Sequence, residues 1–87
     1  PMMKDAIEIE LLSRPDCHLC DRAYEMIQGL QRRYPLVLTV TDIEQDPLLE
    51  QEYGNHVPVV CVGGDKVFNY PIEQAELEME LNRLWKP

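Results

Sequence analysis

R-P-D-C-H-L-C-D-R (14–22) sets two cysteines, Cys17 and Cys20, three positions apart directly after an apolar run. Upstream, A-I-E-I-E-L-L-S (6–13) alternates Ile7, Ile9 and Leu11 with Glu8 and Glu10, the period of two expected of a strand with one buried face. Downstream the period lengthens. Leu19, Ala23, Met26, Ile27, Leu30 and Tyr34 fall on one stripe of a helix that starts near Asp16 or Cys17. Arg32 and Arg33 are expected in its last turn, where positive charge suits the helix dipole, and Pro35 ends it. The cysteines therefore stand where a strand hands over to a helix N-terminus.

Further along, L-V-L-T-V-T (36–41) is continuous and β-branched enough for a well-buried strand. Asp46 and Pro47 read as N-cap and first residue of a short helix that stops at Gly54. V-P-V-V-C-V (57–62), G-G-D and K-V-F-N-Y (66–70) read as a hairpin turned by glycines that tolerate positive φ. The last segment alternates Ala75, Leu77, Met79 and Leu81 with other residues and would suit a strand. Its helix-forming composition and the stripe Leu77, Leu81, Leu84 and Trp85 favour a helix. The order β-α-β-α-β-β-α gives an α/β fold: a four-stranded mixed sheet, with a right-handed crossover between its first two strands and helices on its faces.

Composition narrows the function. A chain of 87 residues, 45% hydrophobic, with no break in composition, is expected to form one domain over residues 1–87. No apolar run reaches membrane-spanning length and the N-terminus lacks a secretory pattern, so the expectation is a soluble, cytoplasmic monomer. A net charge of -8, concentrated in 42–52 and 73–80, argues against nucleic acid as a partner and is otherwise the charge of solvated helix faces. Three cysteines, an odd number, do not make a secreted disulfide framework.

A cysteine in the first turn of a helix lies beside unpaired backbone N–H groups, which favour thiolate over thiol. The Cys17 pKa is expected to fall from about 8.5 into the range of roughly 3.5 to 7.5 found at such sites. Arg14, Arg22 and a protonated His18 add to this; Asp16 and Asp21 oppose it. Such a thiolate attacks a disulfide, and Cys20, one turn on, resolves the mixed disulfide intramolecularly. Alternatives are half of a zinc site, for which only Cys61, His18 and His56 are spare ligands, a short structural disulfide, or a metal-carrying CxxC module. Cys61, among Val59, Val60 and Val62, reads as a buried apolar thiol, and His56 as a loop histidine.

A strand, a CxxC opening a helix and a V-P opening a later strand together resemble the thioredoxin fold, and the small size is similar to its glutaredoxin branch. The resemblance covers essentially the whole chain. It implies a thiol-disulfide oxidoreductase with Cys17 as the exposed nucleophile and Cys20 as the buried resolving thiol. Pro58 would be the family's cis proline, and Val57 would offer its backbone to an extended substrate. Arg14 matches the position of a glutaredoxin lysine that contacts the glycyl carboxylate of glutathione. His18 would tune the pair. No metal or bound cofactor is implied; the partners are a disulfide-containing protein or glutathione, the latter as candidate reductant. The chain departs from the family at His18 and Leu19, where C-P-Y-C is usual, at His56, where T-V-P is usual, and at F-N-Y-P-I-E (68–73), where a G-G-x-D-D motif grips glutathione. The other class in play is a thioredoxin-fold module that binds a partner or a metal without turnover.

Overall fold

In the computed structural model, which describes residues 6–85, the chain runs through β1 (Ile7–Ser13), α1 (His18–Leu30), β2 (Leu36–Asp42), a 3-10 turn (Ile43–Gln45), α2 (Pro47–Tyr53), β3 (Val59–Val62), β4 (Lys66–Asn69) and α3 (Gln74–Leu84). β1 and β2 are parallel, Ile7 beside Leu36 and Ser13 beside Asp42. β3 lies antiparallel to β1 on its other side, and β4 antiparallel to β3, so the sheet order is β2-β1-β3-β4. This is the α/β class, element order and mixed four-stranded sheet expected from the sequence. Among the described residues no helix is long and apolar enough to cross a membrane.

The alternation in β1 sorts the sheet into two unequal faces. Ile7, Ile9 and Leu11 join Val60, Val62 and Phe68 under Ala23, Ile27 and Leu30 of α1 and Leu77 and Leu81 of α3, forming the main core. On the opposite face Glu8 is exposed and Glu10 half-buried, and only Leu12 at the strand's end is buried. There Leu12 meets Ile43, Val57, Val59 and Cys20 in a second cluster, closed by Leu49 and Tyr53. The second layer thus covers only the end of the sheet that carries the cysteines. α2 can be short because Asp46 caps it, accepting from the Leu48 N–H at 3.0 Å, and Gly54 ends it at φ 49°. Gly63 and Gly64 turn the β3–β4 hairpin at φ 64° and 87°.

Four local expectations need correction. β2 is not well buried: Leu36 is, but Val37 and Val40 are 41% and 49% exposed, because β2 is an edge strand with a neighbour on one side only. α1 ends at Leu30, before Pro35, since Arg32 and Arg33 turn back with N–H bonds to Gly29 and Leu30 carbonyls. Both arginines therefore lie beyond its last turn, and Arg33 pairs with Glu78 of α3 at 2.8 Å. The buried stripe of α3 stops at Leu81; Leu84 is exposed, and Trp85, past the helix end, sets its ring edge-on to Tyr34 at 5.9 Å. Cys61 is half-buried, because it points to the sheet face that α2 leaves open.

Candidate functional site

The site begins where β1 stops. Pro15 and Asp16 make a turn after Arg14, with Asp16 at φ 56°, a left-handed conformation that aspartate tolerates better than most residues. This turn brings Cys17 to the N-cap of α1 with extended backbone. In that position a serine or aspartate oxygen commonly accepts a first-turn N–H. Here the cysteine sulfur does so: Cys17 Sγ accepts from the Cys20 N–H at 3.1 Å. Cys17 and Cys20 are joined by a disulfide, their Cα atoms 5.2 Å apart.

The two sulfurs differ in access. Cys20, 2% exposed, is rooted in the second cluster with Leu12, Ile43, Val57 and Val59, while Cys17 is half-buried and packs against that cluster from outside. The structure therefore brings together Cys17, Cys20 and Val57 from positions far apart in sequence. Val57 is followed by Pro58 through a cis peptide bond, and both are buried. His18 is the first residue of α1 and is exposed; His56 is exposed in the loop after α2, its N–H donating to the Tyr53 carbonyl at 2.7 Å. A second cis bond joins Tyr70 and Pro71.

Arg14 is where the structure adds most to the sequence reading. Its Nη1 donates to Glu44 Oε2 at 3.3 Å, and its Nη2 to both Glu50 Oε1 and the Gly54 carbonyl, each at 2.5 Å. Its buried Nε has no hydrogen-bond partner among the described residues. One side chain thus ties the end of β1 to the 3-10 turn, to α2 and to the start of the loop that leads to Pro58. No local signal marks Glu44, Glu50 and Gly54 as its partners, because they lie 30 to 40 residues away and only the fold closes the distance.

Cys61 belongs to a different surface. Burial, and then the Glu10 carboxylate directly across from it on β1, push its thiol pKa up. Tyr53 is likewise raised, by burial first and then by Glu52, Cys61 and Glu10. A groove of about 760 Å³ runs over this face, lined by Glu8, Glu10, Thr39 and Cys61 among others, and includes neither Cys17 nor Cys20. Among the described residues no group of three or more His, Cys, Asp or Glu side chains is placed to share a metal ion.

This architecture, with a CxxC at the mouth of its first helix, is that of a thioredoxin-fold protein. More narrowly, residues 8–82 match the family described as Glutaredoxin-like domain (DUF836), and the chain belongs to it. Uncharacterised proteins of Mycobacterium tuberculosis and Mycobacterium bovis are 25% identical to it over 81 residues, covering 87% of this chain and 84% of theirs. Among solved structures, a structural-genomics target protein from X. campestris is 29% identical with a TM-score of 0.72, covering 91% of this chain and 99% of its own. A mutant thioredoxin from Halobacterium salinarum superposes with a TM-score of 0.73 over 93% of this chain and 76% of its own; at 13% identity it speaks for the fold alone.

Proposed function

We propose that the protein is a thiol-disulfide oxidoreductase that works through the Cys17–Cys20 pair. The observation that supports this most is the capping geometry: the more accessible sulfur sits at a helix N-terminus and accepts the N–H of the buried cysteine that would resolve it. In the reduced protein the Cys17 thiolate attacks one sulfur of a substrate disulfide, forming a mixed disulfide and releasing the other sulfur as a thiolate. Cys20 then gives up its proton and attacks Cys17 Sγ, forming the Cys17–Cys20 disulfide and releasing the second substrate thiolate. Two electrons pass from the dithiol to the substrate. A thiol reductant restores the pair, and glutathione is the candidate.

Val57 and the cis Pro58 would hold an extended segment of the substrate beside the pair, and His18, at the first position of α1, would adjust the Cys17 thiolate. On this reading the chain acts as a cytoplasmic monomer on disulfide-bearing proteins or on glutathione. The test is to incubate reduced protein with glutathione disulfide and trap free thiols. An active pair forms the intramolecular disulfide, and Cys20→Ser accumulates a mixed disulfide at Cys17. A protein that binds disulfide peptides yet leaves both thiols free, or that carries stoichiometric zinc on the pair, is a binding or metal-holding module instead.

A further inference from the structure

Arg14 directly follows β1 and precedes Cys17 by three residues, and an anionic disulfide bound at the pair would gain by using it. In the structure it is engaged from within: Nη1 by Glu44, Nη2 by Glu50 and the Gly54 carbonyl, with 24% of the side chain left exposed. We propose that Glu44 and Glu50 form an internal carboxylate lock on Arg14 that sets substrate class, so that the pair exchanges with neutral or cationic disulfides in preference to anionic ones. The inference rests on the oxidoreductase reading above and narrows it.

The physical argument is one of exchange. A substrate carboxylate that reached Arg14 would meet two carboxylates already there: it would either displace one and leave that charge unanswered, or bind beside both against their repulsion. Moving the guanidinium to meet it would also strain the bond from Nη2 to the Gly54 carbonyl, at the start of the loop that carries Val57 and Pro58. The surroundings do not compensate. Asp16 and Asp21 flank the pair and are exposed, leaving Arg22 as the remaining arginine of the 14–22 stretch, on a chain whose net charge is -8. Complementary fields act mainly on encounter rates, so an acidic approach slows anionic substrates and favours cationic ones.

The experiment follows oxidation of the reduced full chain by three small disulfides: glutathione disulfide, which is anionic, bis(2-hydroxyethyl) disulfide, which is neutral, and cystamine, which is cationic. Wild type is expected to react in the order cationic, neutral, anionic, relative to the rates of the same disulfides with a free thiol. In E44Q/E50Q the ratio of glutathione disulfide to neutral disulfide rates rises by about tenfold at low salt. High salt shrinks the gain, and adding R14Q abolishes it. E44Q alone, which removes the longer and more exposed contact, should show part of the gain in a protein whose Glu50 and Gly54 contacts are kept. A ratio unmoved in E44Q/E50Q, or a gain that survives R14Q, overturns the lock while leaving the oxidoreductase reading standing. A wild type silent toward the neutral disulfide overturns both.

Discussion

The sulfur of Cys17 accepts the backbone N–H of Cys20 at 3.1 Å, so one atom is both the proposed nucleophile and the cap of the helix that carries its partner. Capping and thiolate stabilisation are the same interaction here, since a first-turn N–H that needs an acceptor is also a donor to developing negative charge. Two consequences can be measured in variants that cannot form the disulfide. Cys17→Ser keeps an acceptor at the cap, whereas Cys17→Ala removes it. Chemical denaturation should find the alanine variant less stable than the serine one by about 0.5–2 kcal/mol. In Cys20→Ser, thiolate absorbance followed against pH should place the Cys17 transition below that of an ordinary thiol.

Cys61 should behave in the opposite way. In the disulfide form it is the free cysteine, so alkylation of the oxidised protein reports on it alone. Burial and the facing Glu10 carboxylate both disfavour its thiolate. The alkylation rate should therefore rise with pH along a curve displaced above that of a free thiol, and Glu10→Gln should bring the curve back toward it. The stability linkage has a definite sign. The unfolded chain loses this proton at a lower pH than the folded one, so the contribution is complete below the unfolded thiol's pKa and is lost as pH rises through the folded value.

These two cysteines also mark what the sequence discloses and what it conceals. The alternation Ile7-Glu8-Ile9-Glu10-Leu11 gave the strand and its buried face, and the added apolar residue at Leu12 marks the end of the strand that a second layer covers. Periodicity states which face is inward, but not how far a covering helix extends. Cys61 among valines therefore read as buried although α2 stops short of it. The buried look of 36–41 failed for a related reason: strand order, which makes β2 an edge, is a property of the whole topology. The Cys17–Cys20 spacing was legible because it is local, whereas the cis bond at Val57-Pro58 and its place beside the pair followed only from the resemblance, since most X-Pro bonds are trans. The engagement of Arg14 was not, because its partners come from elements distant in the chain.

Ile27 offers the plainest test of the core. It is fully buried on the α1 stripe, within the cluster that joins α1, α3 and the inner face of the sheet. Ile27→Ala should cost about 2–5 kcal/mol, combining lost transfer energy with the cavity left behind. Leu48→Ala, on the exposed side of α2 at 75% exposure, should change stability by no more than about 0.5 kcal/mol. Equal losses in the two variants, measured by urea denaturation, would contradict the assignment of Ile27 to the core and of Leu48 to the surface.

Acid stability should depend on the acidic side of α3. Glu80 is the one buried charged residue among those described, and Arg83 answers it with two bonds, Nε to Oε1 at 3.0 Å and Nη2 to Oε2 at 2.7 Å. Those bonds, against the opposing effect of burial, hold the Glu80 carboxyl below its ordinary value. Glu78 is lowered too, chiefly by the Gln74 side-chain amide at 3.0 Å and then by Arg33. Because both folded pKa values are depressed, their contribution is present above the ordinary glutamate range and is lost as pH falls through the folded values. Arg83→Gln should therefore lower stability near neutrality and flatten its decline between neutral and acid pH, as followed by urea denaturation at a series of pH values. Gln74→Ala should flatten the same limb by the smaller amount expected of an exposed pair. An acid limb identical in slope to wild type for Arg83→Gln would show that the carboxylate gains nothing from the pair.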